Sequence, residues 1–299
     1  MRAMKSLDTR QRFLFDDTHI RGEITTLSTS YQAIQQRQNY PPVVNALLGE
    51  FLAAASLLSA SLKFDGIVSI QAIGQGAISS IMAECSNNTQ LRGIVRGDYQ
   101  NLGKEQDFAS LLGSATLAIT IEPEGRERYQ GIVPIDKDSL SECLEYYFVQ
   151  SEQLSTKIKL AADQTTAAGV LIQQMPHSRE DEKAADNWQH LSLLLESLKA
   201  EEQLELEHEE QLYRLFHEQQ VRLFDPEALQ FFCSCSKART AKMLSSLGAD
   251  EVNKIFEEQG SIEVTCEFCG QLYQFDQSDT NDIFDEPKPS IHWQLIPKQ

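Results

Sequence analysis

The sequence predicts an α+β fold: an N-terminal antiparallel sheet domain packed with helices, a helical linker, and a small C-terminal domain held by cysteines. Three observations carry that expectation. Short strand-like runs between 67 and 135 are separated by turn-rich links, helical apolar spacing combined with an excess of acids fills 177–232, and four of the six cysteines form two tight pairs beyond 232. The expected organisation is residues 1–176 as a globular domain, 177–232 as an acidic, metastable helical linker, 233–276 as the four-cysteine domain and 277–299 as a polar tail.

Within the first domain, Ser28 to Gln38 reads as a helix. Pro41-Pro42 then opens a second, Ala- and Leu-rich helix reaching about Leu62, because proline at the first turn lacks only an N–H that would be unpaired there anyway. That helix is apolar nearly all round apart from Glu50, so it is expected to be buried against a sheet. Strands follow at Ile67–Ile73, Ile78–Cys85, Leu91–Arg96, Ala115–Ile121 and Tyr129–Ile135. The links IGQGA and EPEGRERY favour antiparallel hairpins over a parallel sheet. Ser139 to Gln150 returns to helix, and Val170 to Met175 is a last strand before Pro176. Gly74-Gln75-Gly76 opens like a dinucleotide fingerprint, but Ser79 stands where the third glycine belongs, and a hairpin follows, so a turn is the reading. Cys85, at a strand end, and Cys143, on the apolar face of a helix, read as small core side chains.

The linker carries twelve acids against four bases between 178 and 218, yet Trp188, Leu191, Leu194, Leu195 and Leu198 keep helical spacing, as do Leu212, Leu215 and Phe216. The run EEQLELEHEE repels itself, so its helix needs tertiary contacts to form. Asp225-Pro226 is read as capping a short turn into Phe231, Phe232 and Cys233. If the cysteine domain unfolds, this segment is expected to loosen and expose the stripe formed by Trp188, Leu191, Leu195 and Leu198, the candidate residues of an apolar binding surface. An ordinary helical linker with a solvated acidic face accounts for the composition equally well.

Cys233 and Cys235 form C-x-C, and Cys266 and Cys269 form C-x-x-C, with 30 residues between the pairs. Four thiolates at this spacing fill a tetrahedral zinc shell and leave no open position, so one structural Zn2+ is expected rather than a catalytic metal. Lys237 to Leu247 reads as a helix stopping at Gly248, Asp250 as the cap of a second helix ending before Gly260, and Ser261–Thr265 and Gln271–Phe275 as strands flanking the CEFCG knuckle. A structural zinc supplies roughly 10 to 16 kcal/mol of apparent binding energy, while a whole domain is stable by about 5 to 15. The same four sulfurs can be oxidised, and a disulfide is a poor ligand, so this is read as a redox-switch domain.

A net charge of −18 argues against a nucleic-acid or anionic-membrane partner. The N-terminus MRAMKSLDTRQRFLFDD shows no signal-peptide pattern, and the longest uncharged apolar run, Phe51 to Leu62, is too short to span a bilayer. A cytoplasmic location is expected, where clustered cysteines serve as metal ligands or redox sensors. The tail DQSDTNDIFDEPKPSIHWQLIPKQ is expected to be loosely held, and His292 in it solvated.

The segments RGE at Arg21–Glu23, LKFDG at Leu62–Gly66, RG at Arg92-Gly93, YQGIV at Tyr129–Val133, YFVQSEQL at Tyr147–Leu154, AGVLIQQMP at Ala168–Pro176 and the two cysteine pairs together resemble the thirty-three-kilodalton heat-shock protein family of redox-activated holdase chaperones. The likeness covers about nine-tenths of the chain, with departures at Ser155 and Ala168, where the family usually has Pro and Gly. The resemblance implies an inactive, reduced, zinc-bound form. Peroxide or hypochlorous acid with unfolding conditions then forms disulfides Cys233–Cys235 and Cys266–Cys269, releases zinc, and yields a homodimer that holds unfolding client proteins without ATP. Extended Cα atoms two residues apart are about 6.6 Å from one another, at the edge of the roughly 4.4 to 6.8 Å that disulfides use, so Cys266 and Cys269 are expected to close before Cys233 and Cys235.

Two other classes of function are weighed against this one. A zinc-ribbon interaction or nucleic-acid module needs a basic surface, and only Lys237, Arg239 and Lys242 cluster near the site. A thiol-disulfide oxidoreductase needs its C-x-x-C at a strand-to-helix junction, whereas CEFCG lies between strands, and no H-E-x-x-H or H-x-E pattern supports a zinc hydrolase. The chain is therefore expected not to be an enzyme.

Overall fold

The computed structural model describes residues 8–16, 18–60, 65–99, 102, 106–176, 182–279 and 284. The chain forms two compact units, Met1–Cys233 and Ser234–Gln299. The first contains, in order, β1 (Thr9–Phe15), β2 (Ile20–Leu27), α1 (Thr29–Gln35), α2 (Pro42–Ser59), β3 (Gly66–Gly74), β4 (Ile78–Ser86), β5 (Gln90–Gly97), α3 (Phe108–Leu112), β6 (Ala115–Pro123), β7 (Tyr129–Ile135) and α4 (Leu140–Tyr147). A π-helical turn (Phe148–Glu152), β8 (Thr156–Ala162), β9 (Ala167–Gln174), α5 (Glu182–Glu196), α6 (Ala200–Glu205), α7 (His208–Phe216), β10 (Val221–Leu223), β11 (Glu227–Ala228) and β12 (Gln230–Phe231) complete it.

The strands form two sheets. One has the order β10-β1-β2-β9-β8, with β11 also on β1, and the other runs β12-β5-β4-β3-β6-β7. The hairpins are antiparallel as expected, while β12 joins β5 in parallel. The apolar helix α2 touches strands of both sheets and buries Val44, Leu48, Phe51 and Leu52 completely. It has the length and composition to cross a membrane, but 72% of it is buried inside the unit, as in the core helix of a globular domain.

Basic side chains of β1 clamp the end of α2. Arg10 Nη1 donates to Ser56 O at 2.7 Å and Ser59 Oγ at 2.6 Å, and Arg12 Nη2 donates to Ala60 O at 2.8 Å. These cations meet carbonyls left without helical partners at the negative end of the helix, whose own last turn carries no base. Arg10 also pairs with Glu227 of β11, and Arg12 Nε with Glu23 of β2 at 2.8 Å. The glycine of the RGE segment has a packing reason: a Cβ on Gly22 would lie 2.1 Å from the ring of Phe13, its partner across β1 and β2.

On one face of that sheet, Phe13, Phe15, Ile20, Ile24, Val170 and Ile172 are covered by Leu191, Leu195, Leu198, Leu212, Leu215 and Phe216. Polar ties reinforce the cover. The buried His208 ring bridges Gln11 Oε1 at 2.8 Å and Thr26 Oγ1 at 3.0 Å, and Gln203 Nε2 donates to Lys159 O at 2.8 Å. The self-repelling acidic run thus forms α6 and α7, with tertiary contacts of the kind its composition required.

Several expectations change. The segments β1, β2 and β8 were not anticipated as strands, because β1 and β2 bury a polar face, with Arg10, Glu23 and Thr25 inside, where a half-buried strand shows apolar alternation. The helix expected to reach Gln150 stops at Tyr147 and gives way to the π-helical turn, which Gln153 ends at φ 55. The linker does not form a separate body: its described residues, 182–232, lie within the first unit, and in place of a capped turn at Asp225-Pro226 the chain adds β10 and β11 to one sheet and β12 to the other. Residues 177–181 of the expected linker, and Leu62 to Phe64 of the LKFDG segment, lie outside the described residues.

The second unit holds α8 (Lys237–Ser245), α9 (Ala249–Gln259) and the hairpin β13 (Ile262–Thr265) with β14 (Leu272–Phe275). Its core consists of Leu244, Val252, Ile262 and Phe275. The cap of α9 is Gly248 instead of Asp250, which lies with Glu251 in the first turn and there suits the positive helix end. The tail begins in order. Asp276 Oδ1 accepts from the amides of Ser278 at 2.8 Å and Asp279 at 3.0 Å, Lys237 pairs with Asp279 at 2.8 Å, and Phe284 packs on the core. These contacts correct the expectation of a loose tail for the residues involved. The rest of it, including His292, lies outside the described residues.

Candidate metal centre

Cys233 follows β12 and is the last residue of the first unit, and Cys235 precedes α8, whose cap Ser236 accepts from Arg239 N at 3.2 Å. Cys266 and Cys269 occupy the turn between β13 and β14. There Gly270 N donates to Cys266 O at 2.8 Å and Cys266 N to Gln271 O at 2.9 Å, which folds the C-x-x-C segment into a knuckle. Gly270 has φ 72, a left-handed conformation that a side chain disfavours, so the G of CEFCG is set by the backbone.

One ligand atom from each of the four cysteines lies within 4.8 Å of all the others. A tetrahedron with Zn–S bonds of about 2.3 Å has sulfurs about 3.8 Å apart, so a metal fits with small adjustment. The donor set is four sulfurs alone, which suits a soft-ligand ion such as zinc and no oxygen-seeking cation. All four are of intermediate exposure and none is joined in a disulfide, and Cys235 Sγ approaches Cys269 Sγ at 3.3 Å.

Neighbouring side chains hold the sulfurs. Tyr273 Oη donates to Cys235 Sγ at 3.1 Å, and this bond to the cysteine sulfur pushes the phenol up to about 12. Arg239 Nη1 donates to Ser234 O at 2.9 Å and to Ser234 Oγ at 2.5 Å, fixing the residue between the first two cysteines. Within the first unit, the Arg92 guanidinium on β5 pairs with Glu84 on β4. The sequence pattern named the four cysteines and missed Tyr273, which carries a weak signal, standing four residues past Cys269 in the next strand.

The remaining candidates lie elsewhere. Leu191, Leu195 and Leu198 are 1%, 0% and 5% exposed and Trp188 is half-buried, so the proposed client-binding stripe is covered here by the first sheet. Cys85 and Cys143 are buried core residues apart from the cluster, and burial pushes both thiols up.

Comparison with known proteins follows the same outline. The family model described as Hsp33 protein matches residues 8–276. The 33 kDa chaperonin of Ectopseudomonas mendocina (strain ymp) is 46% identical over 280 residues, covering 93% of this chain and 95% of that protein. The 33 kDa chaperonin of Pseudomonas aeruginosa (strain LESB58) is 45% identical over 284 residues, covering 94% and 96%. Among solved structures, the 33 kDa chaperonin (heat shock protein 33 homolog) of Thermotoga maritima matches with a TM-score of 0.80 over 92% of this chain and 97% of that one, at 21% identity, which bears on the fold. With the family pattern matched from β1 to the end of the cysteine hairpin and relatives similar over nearly their whole length, the chain belongs to the Hsp33 protein family.

Proposed function

We propose that this chaperone is a redox-regulated, ATP-independent holdase whose reduced, metal-bound form is inactive. The observation that carries the reading is the cluster itself: every candidate ligand of the metal is a thiol, so the groups that hold the second unit together are also the groups an oxidant attacks. Cys233, Cys235, Cys266 and Cys269 would hold Zn2+, which when bound supplies a cross-link between the knuckle and the segment before α8 and no chemistry of its own.

The redox step belongs to the sulfurs. A cysteine thiolate attacks one oxygen of hydrogen peroxide, the O–O bond breaks, hydroxide leaves and a sulfenic acid forms. A second thiolate displaces the sulfenic hydroxyl as hydroxide and closes the disulfide, so two electrons pass from two sulfurs to one peroxide. Repeating this at the second pair leaves no thiolate for the metal. The knuckle pair Cys266 and Cys269 is expected to close first and Cys233 and Cys235 second, although the 3.3 Å contact runs across the pairs, between Cys235 and Cys269. Mass mapping of the oxidised chain therefore identifies which sulfurs join.

Loss of the cross-link unfolds the second unit, α5 to α7 loosen, and the stripe of Trp188, Leu191, Leu195 and Leu198 becomes available to unfolding clients, with a homodimer forming on oxidation. The excess of acids keeps the chain away from nucleic acid and anionic membranes in a cytoplasmic setting. No acid–base or nucleophile arrangement needs to turn over a substrate.

The test counts bound zinc and free thiols before and after peroxide at raised temperature, while light scattering follows a thermally unfolding client. The expected result is loss of zinc and of four thiols together with suppressed scattering. Zinc loss with unchanged client aggregation would overturn the holdase reading.

A further inference from the structure

Three segments that carry the family resemblance, RGE, YFVQSEQL and AGVLIQQMP, each contribute to the wall of one cavity in the first unit, and none of them belongs to the cysteine cluster. The cavity measures about 240 Å³. Its apolar part is made by Leu57 of α2, Val68 of β3, Ile119 of β6 and Leu171 of β9, all buried. An apolar cavity of about 150 Å³ suffices for benzene, so this one has room for one aromatic or branched aliphatic group with space left for a polar end. Arg21 of β2 faces that space. Its Nη2 donates at 2.8 Å to Oε1 of Gln173, its partner across β2 and β9, and Gln173 Nε2 donates in turn to the buried Thr156 Oγ1 at 2.9 Å, which fixes the amide and the guanidinium with it. That partner is neutral. The Glu23 carboxylate, also on the wall, is taken by Arg12 Nε at 2.8 Å, and Glu152 accepts from Tyr147 Oη at 3.1 Å. Among the described residues Arg21 enters no ion pair, and burial, then the Arg12 cation, work against its charge, with Glu23 offsetting only part.

We propose that this cavity binds an apolar residue carrying a free carboxylate, the chemistry of a polypeptide's C-terminal residue, with the carboxylate on Arg21 and the side chain among Leu57, Val68, Ile119 and Leu171. A guanidinium has five donors in a planar fork that matches a carboxylate, and the single bond to Gln173 leaves most of them for a ligand. The acids on the wall set a second requirement. With Glu23 and Glu152 beside Arg21, a ligand bearing further negative charge is repelled, so one carboxylate is favoured over two. The backbone also marks the place: Phe148 and Glu152 come from the π-helical turn, and Leu154 follows Gln153, whose φ of 55 is a left-handed conformation that a side chain disfavours. Irregular turns of this kind recur where a binding site needs side chains re-aimed. The inference goes beyond the redox reading, since every group it names lies in the first unit and none is a thiol.

The experiment titrates the full-length reduced chain in a calorimeter with N-acetyl-L-leucine, with its uncharged amide, and with a pentapeptide ending in leucine whose C-terminus is either free or amidated. The acid and the free-ended peptide are expected to bind at least about tenfold more tightly than their amides, and amide exchange in 148–154 to slow on binding. Arg21→Gln is expected to abolish that preference, leaving acid and amide within about twofold of each other, with Arg21→Lys in between. Binding of both acid and peptide supports the site with a chain end as its ligand, and binding of the acid alone supports it with a small free acid as the source. Acid and amide bound alike by the native chain, or neither bound at millimolar concentration, would overturn the proposal, as would a folded Arg21→Gln chain that keeps the preference. The comparison on the native chain decides even where a variant does not fold.

Discussion

The cluster around Phe13 and Phe216 and the cluster around Leu244 and Phe275 use the same kinds of side chain, yet they stand on different footings. Twelve buried apolar residues fasten α5 to α7 onto a six-stranded sheet, and His208 and Gln203 add hydrogen bonds. The second unit has four such residues among its described residues. At about 1.5–3 kcal/mol for each buried side chain, the smaller core supplies about a third of the apolar stabilisation of the larger one. The comparison teaches where control would sit on the proposed reading: the larger cluster is held by packing, and the smaller one would rely on four sulfurs and the metal they hold.

Removing the metal is the strongest way to break that comparison. Chelation of the reduced protein, with no oxidant present, is expected to withdraw roughly 10 kcal/mol from the second unit and abolish exchange protection across 237–275, while the β-sheet circular dichroism of the first unit persists. Protection that survived chelation would show the small core to be sufficient. The next largest effect sharpens the other side. Phe216 is 1% exposed and stacks edge-on against Phe15 at 4.9 Å, so Phe216→Ala should cost about 3–5 kcal/mol of docking, raise exchange in 182–216 and expose dye-binding apolar surface without oxidation.

A smaller effect isolates the core that both faces of the first unit share. Burial pushes Glu50 of α2 up to about 7 from its usual 4.5, so the folded chain holds this proton more tightly than the unfolded one. Stability from this residue is then full below pH 4.5 and is lost as pH rises through 7. Glu50→Gln should leave the melting temperature nearly unchanged at pH 4 and stabilise by about 3 kcal/mol at pH 8. Equal gains at both values would show that the carboxyl is not buried as charge.

Much of this was legible in the sequence where one residue pattern had one physical cause. The cysteine spacings, the all-apolar α2, the five strands from β3 to β7 and the glycine stops of α8 and α9 each follow from local rules. What was hidden depended on partners distant in the chain. Strands β1 and β2 are covered on both faces, one apolar and one carrying the buried Arg10 and Glu23, and these inward charges make sense only once the end of α2 lies beneath them. The setting of Cys233 was illegible for the same reason: the strand before it, β12, returns to β5 across some 140 residues of sequence. The linker's acidity, by contrast, was read correctly as composition and misread as separateness, since its final residues enter both sheets.

That return has a consequence for reversibility. Because β9 anchors the chain before α5 and β10 to β12 anchor it after α7, the three helices form a flap hinged at both ends. A flap tethered in this way, once lifted, stays near its seat at an effective concentration of order millimolar instead of drifting off as a free tail. On the proposed redox reading, returning the sulfurs to their reduced state would let it settle back onto the same platform and displace whatever had taken its place, so the threading of the chain would favour release of a held protein.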